Sequence, residues 1–318
     1  MDQNLNQIFQ QAALNRKWQK KANLLKQKIK ERIEGKILPK HDEHGHHYQF
    51  TENGLIVDSV TTILGLIEKE HIRYWAVKKG LEWLVQGDRM ARLKLPDGSL
   101  DREILTGAQF AHRDERDAAG STGHDAHDAA ERYIKEWIET GTRPKDIRTF
   151  FEHEKGKQVF GYYLPDVDIT LKGSVDLRAI AAARAVERMC TEMNIIPIAS
   201  EILVGDPRYS AGTLDFLALL DGEVTLLDFK SSNFVDDVSY PLQVSAYAKF
   251  LQKMAGVKTK SLRIMKLSKD YAKFEDWIIP DIEGAYKAFK SLATFYHSWY
   301  AKGKDERIRR NKESLIVK

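Results

Sequence analysis

The 318 residues are 42% hydrophobic and 30% charged, the balance of a globular chain with enough apolar side chains for a large core. No apolar run approaches the roughly 20 residues of a membrane helix, and the N-terminus lacks the apolar core of a signal peptide. Cys190 is the one cysteine, which excludes a disulfide framework, a cysteine-based zinc site and an iron–sulfur cluster; a reducing, cytoplasmic setting is expected.

The formal net charge is only +4, but it is unevenly spread. Residues 16–36 carry nine Lys or Arg against Glu31 and Glu34, and the tail from Lys302 is basic again. Basic ends on a nearly neutral body suit a polyanion, nucleic acid first, and equally suit a solvated helix face and a frayed tail. The first 30 residues are acid-poor but Lys- and Gln-rich without serine, unlike a mitochondrial presequence. Three parts are expected: a basic helical extension over 1–39, one domain over 40–303 and a basic tail over 304–318.

In chain order, apolar spacing predicts a long helix over 3–34, ended by Gly35, with Leu25, Ile29 and Ile33 on one face. A hairpin follows through the histidine-rich stretch, then a helix capped by Ser59 or Thr61 that continues through "EKEHIRYWAVKKGLEWLV". Residues 86–108 read as a loop-rich excursion. A strong helix covers about 113–140, and an Ala/Arg-rich helix follows "SVDL". Strands are expected near 195–205, 261–267 and 274–279, with a hairpin between 211 and 232 and helices at 238–254 and 282–301. Strands interleaved with helices give an α/β or α+β fold with a mixed central sheet.

The hairpin "AGTLDFLALLDGEVTLLDFKSS" sets Asp215, Asp228 and Lys230 among leucines, where an unpaired charge is costly. Asp221-Gly222 is a strong two-residue turn signal, and a turn there makes paired positions sum to 443. Asp215 then faces Asp228, with Cβ atoms roughly 4.5–5.5 Å apart. Two bare carboxylates at that distance repel; a divalent cation between them reverses the sign, and hard oxygen donors suit Mg²⁺ or Mn²⁺. Period-two alternation sets Lys230 on the face of Asp228 and turns Phe229 to the other. After the strand, Gln243 and Tyr247 lie four apart and share a helix face.

"GTLD", "LLDFKSS" thirteen positions on, and "QVSAY" together resemble the PD-(D/E)xK nucleases of the RecB-like branch. "GHDAHDAAERYI" is similar to that branch's first motif, with Gly123, His127 and Tyr133 in register and His124 as the rival histidine. "DSVTTILGLIEKEHIRYWA", with Ser59, Thr61, Lys69 and Trp75, is similar to a segment of phage and mitochondrial genome-maintenance exonucleases. The likeness covers about residues 47–300. The proline of the family's name is absent, since Leu214 precedes Asp215.

The resemblance implies a restriction-endonuclease-like core that hydrolyses DNA phosphodiesters with Mg²⁺ or Mn²⁺. It implies Asp215, Asp228, His127 and the backbone carbonyl of Phe229 as metal ligands, with Glu201 in a second tier. Lys230 would position and help activate the attacking water. Gln243, Tyr247, Ser231, Ser59 and Thr61 would contact water or substrate. The expected activity is an exonuclease on single-stranded DNA or DNA ends, acting as a monomer in a bacterial or phage-infected cytoplasm. The alternatives are a structure-specific endonuclease and a non-catalytic nucleic-acid binder.

Two other stretches imitate sites. "KGSVDLRA" looks like a Gly-x-x-Asp element, but a helix follows it, so Asp176 is expected in first-turn helix chemistry. His41, His44, His46 and His47 resemble a soft-metal tract, although a turn at Gly45 with exposed imidazoles is the commoner outcome. Trp18, Trp75, Trp83 and Trp137 are expected in packing.

Overall fold

The computed structural model describes residues 2–42, 45–151, 176–232, 236 and 238–303. His44, Ser174 and the tail 304–318 lie outside the described residues.

The sheet that carries the hairpin has five strands in sequence order: β4 (Ile195–Asp206), β5 (Ser210–Leu220), β6 (Glu223–Lys230), β7 (Ser261–Leu267) and β8 (Phe274–Ile278). β6 and β7 are parallel, and the other neighbours are antiparallel. A parallel neighbour needs a crossover, supplied by helix α8 (Ser239–Ala255). The result is a mixed α/β fold, as the element pattern predicts.

Helices cover both faces. On one lie α6 (His112–Thr140) and α7 (Leu177–Glu192), which bury Ala126, Ala129, Ala130, Tyr133 and Ile134 against Ala179, Ala182, Ala183 and Val186. These small residues let two helices and a sheet approach closely. The other face is covered by α8, α9 (Ile282–Phe295) and α1 (Asp2–Ile33), which inserts Ala22, Ile29 and Ile33 into the main apolar cluster. α9 stops short of the expected end and gives way to a π-helical turn at Tyr296–Tyr300.

α1 is fastened by its own cations. Lys21 Nζ donates to Gly222 O (2.7 Å), Lys26 Nζ to Ile138 O (3.0 Å) and Lys28 Nζ to Gly256 O (3.2 Å). Each acceptor belongs to a turn or a helix C-terminus, where carbonyls lack backbone partners. The Trp18 indole lies so close over Gly222 that a Cβ there would sit 2.3 Å from Nε1. Part of the basic run is therefore structural.

A small antiparallel sheet, β1 (Ile37–Asp42), β2 (Gly45–Phe50) and β3 (Ile56–Asp58), holds the histidine tract. His41 pairs with His46, both exposed, while His47 is half-buried with Nδ1 3.2 Å from Asp58 Oδ1. The expected continuous helix after Ser59 is broken at Gly65 into α2 (Val60–Leu64) and α3 (Glu70–Val85). Ser59 is the cap, accepting from the Thr62 amide. The expected loop over 86–108 instead holds two helices, α4 (Arg89–Arg92) and α5 (Arg102–Phe110). Asp101 caps α5 by accepting from Glu103 and Ile104, and Gly107 makes room there for the Trp83 ring. Among the described helices, none is long and apolar enough to cross a membrane.

Candidate active site

Three neighbouring strands bring one acid each to the same end of the sheet. The β5–β6 ladder runs from Leu220↔Glu223 to Phe216↔Leu227, every pair summing to 443. It is closed by Asp221 (φ 50) and Gly222 (φ 81), the left-handed pair a type I′ turn requires. One step beyond the last pair, Asp215 stands across from Asp228. There the ladder stops, and Asp215 Oδ2 accepts the Phe229 amide at 2.8 Å. On β4, Ser200↔Phe216 and Ile202↔Leu214 bracket Glu201 opposite Asp215.

The strands roll over at this acidic pair. Leu214 and Leu217 face the same apolar cluster although three apart, and Phe216 faces the other. Ala199 and Ile202 do the same on β4, and Glu201 has a left-handed backbone, φ 52. That conformation is unfavourable for a residue with a Cβ, and such strain gathers where a side chain must be re-aimed.

From α6, His127 places Nδ1 4.0 Å from Asp215 Oδ2, whereas His124, one turn earlier, is exposed. At Gly123 α6 lies close against the end of β6: a Cβ there would be 3.0 Å from Ser231 Oγ, a hydroxyl that can turn aside. Thr122 Oγ1 donates to Asp176 Oδ2 (2.6 Å), and Asp176 caps α7 by accepting the Arg178 amide. Asp176 thus does the helix-start work expected of it.

Asp228 is buried, and no well-angled hydrogen bond reaches either carboxylate oxygen; Lys230 Nζ lies 2.5 Å from Oδ2 as an ion pair. Burial pushes Asp228 up to about 6, with Lys230 opposing and Asp215 adding. Burial likewise raises Asp215, against the pull of Lys230 and the Phe229 amide. Burial alone would lower Lys230, but Asp228 and Asp215 outweigh it and keep the ammonium charged. Burial, then Asp215, pushes Glu201 up to about 8. Burial and the Lys230 charge bring His127 down to about 4. His127 keeps 32% of its side chain open to solvent and stands neutral at pH 7.

Around this centre, Gln243 Nε2 donates to Tyr247 Oη at 3.3 Å, both buried. The Tyr247 hydroxyl is close enough for Asp228 and Asp215 to add to the burial that pushes its ionisation far up. Gly212 makes room for this ring: a Cβ would sit 2.6 Å from Tyr247 Cε1. Ser231 stays at the edge against Gly123, while Ser59 and Thr61 are engaged with each other (2.9 Å) at the start of α2. Phe229 stacks on Phe216 with centroids 6.2 Å apart, keeping its backbone at the edge.

Sequence reasoning missed Tyr240. Its ring centroid lies 5.2 Å from Lys230 Nζ and 5.7 Å from Lys69 Nζ, and its hydroxyl meets Ser232 Oγ at 3.0 Å. Lys69 in turn pairs with Asp236 (2.9 Å), which accepts the Ser239 amide at the start of α8. The only sequence signal was its place before Pro241 at a helix start. Beside Glu201 a groove of about 420 Å³ opens between α1, β4 and α6, with Ile29, Ile33, Ile198 and Ile202 on its floor and Lys30 and Lys135 at its rim.

The donor set suits a hard divalent cation: oxygens dominate, His127 is neutral, and Asp228 is a buried carboxylate without a hydrogen bond. Asp215 and Asp228 both act on the half-buried Lys230, two carboxylates to one ammonium. Among the described residues no three His, Cys, Asp or Glu side chains already converge as a ligand group. Lys230 lies against Asp228, and the Phe229 amide holds Asp215. Compared with known proteins, the chain matches no family model and no curated sequence.

Proposed function

We propose that this chain is a Mg²⁺- or Mn²⁺-dependent DNA nuclease with a PD-(D/E)xK core, acting as an exonuclease on single strands or duplex ends. The observation that carries the reading is the Asp215–Asp228 pair at the open end of the ladder, with Lys230 and His127 against it.

Asp215, Asp228 and the Phe229 carbonyl would hold the cation, with His127 as a further donor and Glu201 beside them. Bound there, the cation supplies Lewis-acid charge to the scissile phosphate. Lys230, kept charged by its acidic neighbours, orients the attacking water and offsets charge growing on the phosphate. Tyr240 and Ser232 steady that lysine from the side. Gln243 and Tyr247 present polar tips to the same edge. The groove beside Glu201 offers a strand an apolar floor for bases and lysines for phosphates. A monomer working on cytoplasmic DNA is the simplest setting.

The test is cleavage of 5′- and 3′-labelled linear DNA and of circular DNA. Linear DNA should be degraded with Mg²⁺ or Mn²⁺, and EDTA should stop it. Wild-type rates from Asp228→Asn and Lys230→Ala would refute the proposal, and binding without cleavage would identify a non-catalytic relative.

A further inference from the structure

A second cavity, about 680 Å³, lies away from the carboxylate row between α6, the segment after it, α7 and the β7–β8 turn. Among the residues that line it is Tyr133, six residues along α6 from His127, or about 9 Å of helix axis. Tyr133 is fully buried, yet its hydroxyl has no hydrogen-bond partner. A buried phenol without a partner is costly, and such an atom needs a reason. Burial, with Glu187 adding, holds its ionisation far above the ordinary value, so it is available only as a neutral donor and acceptor.

The rest of the wall is basic. Arg143, Lys145, Arg184 and Arg188 line it against Glu187 and Glu192. Arg188 pairs with Glu192, and Glu187 accepts the Ile147 amide at 3.0 Å. Arg143 donates to Cys190 O at 2.5 Å. Arg184 and Lys145 have no carboxylate at ion-pair distance among the described residues. A guanidinium, an ammonium and a buried hydroxyl around one space match the acceptors of a phosphate. At the mouth stands Tyr271, 74% exposed, a flat apolar face of the kind on which nucleobases stack. The volume lies in the range of small-ligand pockets.

We propose that this cavity binds a nucleoside phosphate, with the phosphate on Arg184, Lys145 and the Tyr133 hydroxyl and the base on Tyr271. The site is separate from the carboxylate row and stands or falls without the nuclease reading.

The experiment is isothermal titration calorimetry of the full chain in EDTA with dAMP, inorganic phosphate and deoxyadenosine. dAMP should bind, phosphate more weakly, and deoxyadenosine not at all. Tyr133→Phe should weaken dAMP binding about tenfold while leaving the melting temperature unchanged or higher, because the orphan donor is gone. Arg184→Gln should abolish binding, and Asp228→Asn should not change it. Equal affinity for phosphate and dAMP would overturn the nucleotide assignment. Wild-type binding by both cavity variants, or no binding of dAMP at millimolar concentration, would overturn the site itself.

Discussion

The Asp215 carboxylate accepts the Phe229 amide at 2.8 Å, so a side chain takes the place of the next backbone acceptor where the β5–β6 ladder ends. Asp215 therefore has two separable roles. Asp215→Asn keeps an oxygen for the amide, whereas Asp215→Ala removes it. Both variants should lose DNA cleavage by on the order of 10²–10³-fold. Only the alanine variant should also lose about 1 kcal/mol of stability in denaturant melts. Equal destabilisation by both would show that the amide contact contributes nothing.

Asp228 gives a prediction that needs no DNA. A cation held by the carboxylate pair binds the folded state only, and stabilises it by about 2.7 kcal/mol at a hundredfold excess over Kd. Mg²⁺ or Mn²⁺ should therefore raise the melting temperature of the wild type and not that of Asp228→Asn. EDTA should reverse the rise.

Glu201 makes stability depend on pH. Its folded pKa is raised to about 8 by burial and Asp215, above the ordinary value of 4.5. Between those values the folded chain holds a proton that the unfolded chain has released. Its contribution is full below pH 4.5 and is lost as pH rises through about 8. His127, shifted the opposite way, works against this below pH 6.5. The clean measurement is thus a difference: in EDTA, the stability of Glu201→Gln relative to wild type should grow from pH 5 to pH 8, both values marking roughly the window of that titration. A constant difference would sink the idea.

Two glycines should respond oppositely to alanine. At Gly212 the new Cβ meets the buried Tyr247 ring at 2.6 Å, and that ring has nowhere to go, so about 1–3 kcal/mol should be lost together with activity. At Gly123 it meets a serine hydroxyl at 3.0 Å, which can turn away. Gly123→Ala should fold and cleave nearly as wild type.

The lysines of α1 divide into two groups. Replacing Lys21, Lys26 and Lys28 with alanine should lower the melting temperature, because each holds a carbonyl. Replacing the exposed Lys17, Lys20 and Lys30 should instead flatten the salt dependence of single-strand binding, by a slope of about 2 if all three meet phosphates. An unchanged slope would mean that these lysines face water only.

The hairpin was legible because turn chemistry and a period of two are local rules. Asp221-Gly222 alone set the register that brings Asp215 to Asp228. The rollover at Glu201 was not, since it arises between strands and no residue type announces a left-handed glutamate. α5 was hidden behind Gly107, a helix breaker by propensity that here makes way for Trp83. Nor does a run of lysines say which will meet a phosphate and which a carbonyl; that depends on partners 112 to 228 positions away.

That separation has a consequence for the newborn chain. Lys21 and Trp18 find their seat at Gly222, 201 positions after Lys21. At roughly 5–20 residues per second, the ribosome reaches that glycine about 10–40 s after it has made the helix. Throughout that wait the turn that seats Lys21 and Trp18 does not yet exist, and Lys28 waits longer still for Gly256.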